Sequence, residues 1–276
     1  MLYEQLDLNL DYTAMGLDVP SKPVTLTAYA ADTSPEIQSK ARPAVILCPG
    51  GGYAMTSDRE AEPVALALVA RGIQVFVLRY SVHPDRYPLA LLQVAKSLLL
   101  VRQQATRFNV DPKRIGVAGF SAGGHLAASF AVFWKESWLA EKLAVDSEDL
   151  RPNFQFLGYP VISSGEHAHR SSFELLLGDR YDELVEKMSL ELEVHADVPK
   201  AFIWHTAADD AVPVENALLY AAALTAKRIP IELHIYDRGH HGLSLANELT
   251  ETPDGYANEP AVRSWFDLFV EWMKRN

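Results

Sequence analysis

The chain has 276 residues, of which 49% are hydrophobic and 22% charged, a composition typical of a soluble globular protein with a substantial core. Acidic residues outnumber basic ones by 36 to 25, and the formal net charge of -11 repels polyphosphate, so we predict no nucleic-acid partner. No apolar run approaches the roughly 18 residues that span a bilayer, and the N-terminal segment lacks the pattern of a secretory signal. Cys48 is the only cysteine, which excludes an intrachain disulfide. These features predict a cytoplasmic protein with no membrane association.

Short apolar stretches along the chain predict the strands of a sheet. Residues 6–12 alternate apolar and polar side chains, and residues 24–30 do so more loosely, as in antiparallel strands near a sheet edge. From residue 44 onward, short runs rich in Val and Ile alternate with longer segments of helical period, which indicates parallel βαβ units. The predicted parallel strands are residues 44–48, 73–80, 114–119, 154–159, 200–206 and 231–236.

The helices between these strands are predicted from their first residues. Ser57 and Glu60 fit a capping box, in which the glutamate reaches back to the helix start, for a helix that stops at Gly72. Prolines open three further helices, and another follows the third parallel strand. These four helices are predicted over residues 88–108, 124–134, 213–228 and 260–274. The expected architecture is one α/β domain over residues 1–276, with a mostly parallel, doubly wound sheet and antiparallel N-terminal edge strands.

Residues 163–199 interrupt this rhythm, because they separate two predicted strands by far more residues than a simple crossover needs. The segment is amphipathic, and residues 173–177 and 181–192 fit short helices. An insertion at the carboxyl end of the sheet would lie over an active site there. We therefore predict a small helical cap.

A G-x-S-x-G motif around Ser121 predicts a nucleophile. The motif lies between a predicted strand and a predicted helix, which is the context that a nucleophile elbow requires. Gly119 and Gly123 allow close approach in a crowded turn, and the backbone N–H of Ala122 lies at a helix N-terminus, where negative charge is stabilised. A bare G-x-S-x-G also occurs in ordinary turns, but the strand before it and the helix after it favour the nucleophile.

Three successive glycines, at positions 50–52, follow the first parallel strand. Without side chains in the way, their backbone N–H groups are free to bind an oxyanion, which is what an acyl-transfer enzyme needs at this point of the fold. A flexible turn is the alternative. A phosphate-binding loop is disfavoured, because no Lys-Ser or Lys-Thr pair follows.

A serine nucleophile needs a histidine base and a carboxylate that orients it, in the order Ser, acid, His on this fold. His241 follows the last predicted strand with Gly242 beside it, whereas the adjacent His240 is expected to point away. Asp209 and Asp210 both follow the preceding strand. We prefer Asp209 as the acid, since Asp210 fits as a cap for the helix that begins near residue 213.

Several other side chains are candidates for contact with a substrate: Tyr53, His83 and His205. For His205 a core position is an equally good interpretation, and His83 also fits a solvated loop. His125 is interpreted as a packed helix residue. The pair His167 and His169 suggests a metal site, but no third ligand is evident and the reaction needs none, so we predict neither a metal nor a cofactor.

Together these motifs resemble those of the esterase/lipase branch of the α/β-hydrolases, specifically the acetyl-esterase and acetylxylan-esterase-like family. The resembling segments are residues 48–53, 78–81, 119–127, 205–209, 212–213 and 239–242. Relatives with His-Gly-Gly-Gly imply oxyanion donors at the second and third glycines, here Gly51 and Gly52. In those relatives the histidine usually supports the loop and does not react. This chain has Pro49 in its place.

The resemblance implies an α/β-hydrolase fold and a serine carboxylesterase that cleaves short-chain acyl esters, with acetyl as the favoured group. Its partner would be a small acylated substrate such as an acetylated sugar. Three alternatives remain at this point. They are a small-amide hydrolase of the formamidase kind, a peptidase with the same site, and a non-catalytic binding protein of the same fold.

Overall fold

The strands form where the sequence concentrates β-branched and aromatic side chains. The structure is a computed structural model and describes residues 1–36 and 40–275 of the chain. Within these residues the strands are β1 (Leu2–Leu6), β2 (Thr25–Ala30), β3 (Arg42–Cys48), β4 (Gln74–Arg79), β5 (Val110–Phe120), β6 (Gln155–Gly158), β7 (Ala201–Thr206) and β8 (Ile231–Tyr236).

All these strands belong to one sheet, in the order β1-β2-β4-β3-β5-β6-β7-β8. Strand β2 pairs antiparallel with β1 and β4, and the remaining neighbours are parallel. The chain winds from β3 to β4 in one direction and from β5 to β8 in the other, so the loops after β3 and β5 lie side by side at the carboxyl edge. Ligands bind at such a switch point in doubly wound sheets. The predicted fold class is confirmed.

Helices cover both faces of the sheet. Within the described residues they are α1 (Glu62–Ala70), α2 (Leu89–Gln103), α3 (Ser121–Phe133), α4 (Ser137–Leu143), α5 (Arg170–Leu177), α6 (Tyr181–Leu184), α7 (Glu215–Ala226) and α8 (Ser264–Arg275). Side chains of β3 alternate between two buried clusters. Val45 and Leu47 pack in the cluster that contains α1 and α8, while Ile46 packs in the cluster that contains α2, α3 and α7.

The segment predicted as a cap joins β6 to β7 and contains α5 and α6. Phe173 of α5 is buried, and its ring centroid lies 5.2 Å from that of His125 in α3. The Arg86 guanidinium, in the loop after β4, donates to the carbonyl of Leu175 at 2.6 Å. The insertion is therefore packed onto the elbow helix and a neighbouring loop. The predicted helix over residues 181–192 is much shorter, since α6 ends at Leu184.

Several predicted elements have other bounds in the structure. Helix α2 ends at Gln103, not at residue 108, and α8 begins at Ser264, not at residue 260. The first strand covers Leu2–Leu6, not residues 6–12. Beyond it the Asp7 carboxylate accepts a hydrogen bond from the backbone N–H of Asn9, and Asn9 adopts a φ of 49°. This local turn competes with strand pairing and ends the strand, although the apolar alternation continues. The elbow helix α3 begins at Ser121 itself, not at residue 124.

The predicted capping box at Ser57 is also wrong. Helix α1 begins at Glu62 and has no side-chain cap. The Glu60 side chain is buried and accepts a hydrogen bond from the backbone N–H of Gly50, while the N–H of Ser57 donates to the Gly50 carbonyl. Both residues therefore bind the glycine-rich loop after β3 and do not cap the helix.

Candidate active site

Ser121 lies on a sharp turn between β5 and α3. Its φ is 53°, in the left-handed region that side chains other than glycine rarely adopt. A Cβ on Gly119 would overlap the carbonyl of Gly123, and a Cβ on Gly123 would overlap the carbonyls of Cys48 and Pro49. Only glycine fits at these two positions. The turn therefore has the backbone of a nucleophile elbow, as the motif predicts.

The structure brings Ser121, His241 and Asp209 together. The Ser121 Oγ lies 2.7 Å from His241 Nε2, and His241 Nδ1 lies 2.8 Å from Asp209 Oδ2. About a fifth of the His241 side chain is exposed, at 19%, whereas the Asp209 side chain is fully buried. With Nδ1–H donating to the carboxylate, His241 Nε2 is free to accept the serine proton.

Asp209 is held by four hydrogen-bond donors. Its Oδ1 accepts from the backbone N–H groups of Ala211 and Val212, at 3.0 and 2.8 Å. Its Oδ2 accepts from His241 and also lies 3.3 Å from His205 Nε2. Burial by itself would raise the pKa of this carboxyl, but the hydrogen bonds from His205 and His241, with the His241 charge and the Val212 N–H, hold it well below its usual range. Asp209 therefore stays ionised.

The neighbours of these two residues have different surroundings. The His240 side chain is 66% exposed, and its Nδ1 lies 3.5 Å from Asp210 Oδ2. Asp210 Oδ1 accepts from the backbone N–H of His241 at 3.5 Å. Asp210 does not cap α7, which begins after Val214 and has no side-chain cap. This exposed pair lies outside the hydrogen-bonded chain that contains Ser121.

The glycine-rich segment 49–53, called here the oxyanion loop, packs against the elbow. A Cβ on Gly50 would lie only 2.8 Å from both the Ser121 Cβ and the Phe120 carbonyl. The N–H of Gly50 is already bound to Glu60, whereas Gly51 and Gly52 adopt φ values of 127° and 62°. The N–H of Ala122, in the first turn of α3, has no carbonyl partner within its helix. Gly51, Gly52 and Ala122 remain the predicted oxyanion donors.

Tyr53 does not extend towards a substrate. Its side chain is buried, and its hydroxyl donates to His125 Nδ1 at 2.8 Å. His125 in turn donates from Nε2 to the Met188 carbonyl, in the insertion, at 3.0 Å. Burial lowers the pKa of His125 to about 4, so the ring stays neutral and accepts from Tyr53. As expected, His125 is a packed helix residue, and Tyr53 joins it in the core.

Of the two interpretations of His205, the structure agrees with the core position. This side chain is fully buried, its Nε2 donates to the Val212 carbonyl at 2.9 Å, and it contacts Asp209 from behind. With no exposed surface, it has no access to a substrate. His83 is exposed on the loop after β4, where its Nδ1 accepts from Arg86 at 2.7 Å, and a substrate contact for it stays a prediction.

His169, considered in the sequence only as a metal ligand, lies close to the site. A Cβ added to Gly52 would lie 3.9 Å from both His169 Cε1 and Ser172 Oγ. His169 Nδ1 is 2.8 Å from the Ser172 hydroxyl. Burial and the nearby His241 charge lower the pKa of His169 more than Asp209 raises it. A neutral imidazole of the insertion therefore faces the oxyanion loop, a placement that no sequence motif signals.

The described residues contain neither a metal-binding cluster nor a helix that could span a membrane. In residues 1–36 and 40–275, no three His, Cys, Asp or Glu side chains are grouped so that they could hold a metal ion. Over the same residues, every helix is too short or too polar to cross a membrane.

Comparisons with known proteins agree with this geometry. The sequence pattern of the BD-FAE family matches residues 33–224. Endo-1,4-beta-xylanase B of Butyrivibrio fibrisolvens is 37% identical over 214 residues, which are 75% of this chain and 33% of that protein. The acetylxylan esterase of Xylanibacter ruminicola is 32% identical over 210 residues, which are 73% of this chain and 41% of that protein. The chain thus spans less than half the length of these two curated relatives.

A solved structure is similar over nearly the whole chain. The acetyl ester-xyloside bifunctional hydrolase from Caldicellulosiruptor lactoaceticus has 37% sequence identity and a TM-score of 0.84, and the match covers 99% of this chain and 96% of that one. Sheet topology and this match define an α/β-hydrolase. The chain belongs to the BD-FAE family, whose pattern covers more than half of its residues. The resemblance inferred from the motifs is confirmed.

Proposed function

We propose that this protein is a serine carboxylesterase that hydrolyses short-chain acyl esters, with acetyl as the preferred group. The observation that carries the proposal is the hydrogen-bonded chain from Ser121 through His241 to the buried Asp209. Nucleophile, base and orienting acid are within hydrogen-bond reach of one another, which is the arrangement that acyl transfer through a covalent intermediate needs. We further propose that residues 1–276 form one catalytic domain with residues 163–199 as its cap.

In the proposed reaction, Ser121 Oγ attacks the ester carbonyl while its proton passes to His241 Nε2. Negative charge develops on the carbonyl oxygen, where the backbone N–H groups of Ala122, Gly51 and Gly52 donate hydrogen bonds. When the intermediate collapses, the C–O bond to the alcohol breaks and His241 gives the proton to the leaving oxygen. Water then attacks the acyl-serine by the same steps, releasing the carboxylic acid and free Ser121. Asp209 holds the imidazole tautomer and stabilises its protonated form.

We propose that the substrate is an acetylated sugar, so that the alcohol part of the ester is the sugar. The relatives reported above include an acetylxylan esterase and an acetyl ester-xyloside hydrolase. The insertion contributes a neutral imidazole, His169, and the exposed hydroxyl of Ser171, whose Oγ lies 3.5 Å from His169 Nε2. Groups that both donate and accept hydrogen bonds suit the hydroxyls of a sugar better than a purely apolar alcohol.

The test of this proposal is the Ser121→Ala variant. We expect hydrolysis of p-nitrophenyl acetate to fall by about four to six orders of magnitude, because no other group of the elbow can form the acyl intermediate. Labelling by a fluorophosphonate probe should occur in the wild type and be absent in the variant. Circular dichroism and thermal unfolding serve as folding controls. Normal turnover in a folded variant would exclude the serine mechanism, and an unlabelled, inactive wild type would indicate a non-catalytic protein.

A further inference from the structure

Glu60 is a buried carboxyl group beside the oxyanion loop, and the proposed reaction does not use it. Only 4% of the residue is exposed. Its two oxygens have different partners: Oε2 accepts from the backbone N–H of Gly50 at 2.7 Å, and Oε1 accepts from the hydroxyl of Tyr159 at 2.6 Å. Burying a carboxyl group without hydrogen bonds would destabilise the folded protein, but both hydrogen bonds to Glu60 are made and are short. The position of Glu60 is therefore tightly specified.

Tyr159 extends the contact from Glu60 towards His241. Its hydroxyl accepts from the backbone N–H of Ser244 at 2.9 Å, and its ring centroid lies 5.0 Å from that of His241 in an edge-to-face contact. Burial and the adjacent Glu60 raise the pKa of Tyr159 well above its usual value, so the hydroxyl keeps the proton that it donates to Glu60. Gly50, Glu60, Tyr159 and Ser244 thus form a continuous hydrogen-bonded path.

Arg59 makes a second connection to the same region. Segment 237–250, called here the histidine loop, carries His241 between β8 and the C-terminal part of the chain. The Arg59 guanidinium donates to the carbonyl of Gly242 at 2.8 Å and to that of Thr250 at 2.7 Å. Its own carbonyl accepts from the hydroxyl of Ser244 at 2.7 Å. Arg59 and Glu60 together therefore bind both the oxyanion loop and the histidine loop.

The two loops need such a connection for a physical reason. The three glycines of the oxyanion loop have no side chains with which to fix their backbone, and the histidine loop also contains glycine. Oxyanion donors and the base must nevertheless hold their relative positions closely, since a displacement of about 1 Å can reduce a rate about 100-fold. Gly50 is packed so closely between Glu60 and Ser121 that a Cβ at this position would clash with both.

We propose that Glu60 is a positioning residue that fixes the oxyanion loop relative to the histidine loop through Gly50 on one side and Tyr159 with Ser244 on the other. The inference rests on the proposed function, because it takes the oxyanion loop and His241 as parts of the catalytic machinery. It assigns no proton transfer to Glu60. The carboxyl acts through the backbone N–H that it binds and through the tyrosine that it accepts from.

The experiment compares Glu60→Gln and Tyr159→Phe with a matched pair of controls. The Tyr29 hydroxyl donates to Glu62 Oε2 at 3.0 Å, which is the same chemical pairing on β2 and α1, away from the site. This bond is partly exposed, whereas that between Tyr159 and Glu60 is buried. Tyr29→Phe and Glu62→Gln therefore report what the loss of a tyrosine–carboxylate bond outside the site does to the protein. Thermal unfolding is measured for all four variants, and the kinetics are normalised to the fraction labelled by a fluorophosphonate.

For p-nitrophenyl acetate we expect Glu60→Gln and Tyr159→Phe to lower kcat by about 10- to 100-fold with KM within about twofold of the wild type. The two control variants should stay within about twofold in both constants. Because Glu60 and Tyr159 act through one path, the double variant should lose little more than the worse of the two single variants.

Three outcomes would overturn the inference. They are kcat values near wild type in both folded site variants, an effect confined to KM, or equal losses of kcat in the site and control pairs. If Glu60→Gln does not fold, Tyr159→Phe alone carries the test, since it keeps the ring and removes only the hydroxyl. An inactive wild type would instead contradict the proposed function, so the two failures are distinguishable.

Discussion

The two carboxylate oxygens of Asp209 have different hydrogen-bond partners. One oxygen of its carboxylate is fixed by the N–H groups of Ala211 and Val212, and the other accepts from His241 and lies near His205. The first pair of bonds orients the carboxylate, and the second directs it to the imidazole. With its side chain fully buried, Asp209 cannot exchange these partners for water. Its role in the proposed reaction depends on all four contacts.

We therefore expect Asp209→Asn to be far more damaging than Asp210→Asn. An amide at position 209 would favour the wrong imidazole tautomer, and kcat should fall by about three to four orders of magnitude. Asp210 is exposed and is not hydrogen-bonded to the imidazole that contacts Ser121, so its variant should stay within about threefold. Steady-state hydrolysis of p-nitrophenyl acetate by both variants tests this ranking. A reversed ranking would show that Asp210 is the orienting acid.

The same comparison applies to the two adjacent histidines. His241→Ala removes the proposed base and should lower kcat by several orders of magnitude, whereas His240→Ala removes an exposed ring that stacks on Tyr256. Activity for His240→Ala should remain within a few-fold of the wild type. Equal losses in the two variants would contradict the assignment of His241 as the base.

For individual residues, the sequence predicts which ones form the triad better than it predicts where the neighbouring side chains point. The order Ser, Asp, His and the flanking glycines point to Ser121, Asp209 and His241, and the structure brings these three together. Tyr53 and His205 adjoin the right motifs but point into the core. Their direction depends on which buried partners, His125 and the Asp209 carboxylate, the fold places nearby. His125 is 72 residues from Tyr53 in the chain, so no local pattern reports that contact. Asp209 is only four residues from His205, but the contact depends on how the loop after β7 folds back on that strand, which the local sequence does not specify.

Element boundaries were predictable where local and tertiary preferences agree. The six parallel strands form near the predicted residues. Most residues of β3, β4, β6 and β7 are buried, as expected for apolar strands covered on both faces, whereas β8 is a partly exposed edge strand. The capping box at Ser57 failed for the opposite reason. Without Glu60 the N–H of Gly50 would be left unpaired in a buried loop. The hydrogen bond from Gly50 to the Glu60 carboxylate is buried, so it stabilises the fold more than a helix cap exposed to water would.

The junction between α3 and the insertion should make stability depend on pH. The unfolded His125 takes up a proton below about pH 6.5, whereas burial lowers its folded pKa to about 4. The unfolded state therefore binds more protons between these values, and stability falls as the pH is lowered from about 6.5 to 4. The loss amounts to at most about 3 kcal/mol. Protonation would also end the hydrogen bond that Nδ1 accepts from Tyr53.

Urea unfolding at pH 7, 5.5 and 4 measures this dependence. His125→Gln can still donate and accept a hydrogen bond but does not titrate, so its free energy of unfolding should change less over this interval than that of the wild type. His169, whose pKa is also lowered, contributes to the slope that remains. His240→Gln, at an exposed ring, should retain the wild-type slope. An unchanged slope in His125→Gln would contradict the assignment.

The insertion should also decide which alcohol is accepted. If His169 binds a sugar hydroxyl, His169→Ala should raise KM for an acetylated xyloside by about 3- to 10-fold, the effect of one neutral hydrogen bond. Hydrolysis of p-nitrophenyl acetate, which offers no sugar hydroxyl, should change by no more than about twofold. His167→Ala is the matched control, since that ring lies 4.0 Å from Glu215 and is about one third exposed. Equal changes with both substrates would contradict a role in sugar binding.

On the scale of the whole molecule, the winding of the sheet assembles the site. The loops after β3, β5, β7 and β8 provide the oxyanion loop, Ser121, Asp209 and His241 in turn, and all lie at the carboxyl edges of parallel strands. The alternation of strands and helices is sufficient to predict this convergence from sequence. The path from Gly50 to Ser244 is not predictable in the same way. It joins three regions far apart in the chain, at residues 50–60, 159 and 244, and none of its hydrogen bonds follows a repeating pattern.

The cap as a unit bears on the acyl group that the site accepts. Helix α5 buries Phe173 and Leu177 towards the body of the protein, and α5 and α6 present charged residues such as Arg170 and Glu183 to solvent. A long-chain lipase instead needs an extended apolar groove beneath a cover with an exposed apolar face. A packed amphipathic cover favours a short pocket. We therefore expect a preference for acyl groups from acetyl to about butyryl.

A series of p-nitrophenyl esters from acetate to decanoate tests this expectation. Each methylene that an apolar pocket accommodates contributes about 0.8 kcal/mol, which would raise kcat/KM about fourfold per carbon in a deep groove. In a short pocket the trend reverses after a few carbons, because further methylenes stay in water or displace the cap. Ser121→Ala controls for hydrolysis that does not involve the site. A kcat/KM that rises steadily through octanoate would contradict the short-acyl preference and indicate a lipase-like groove.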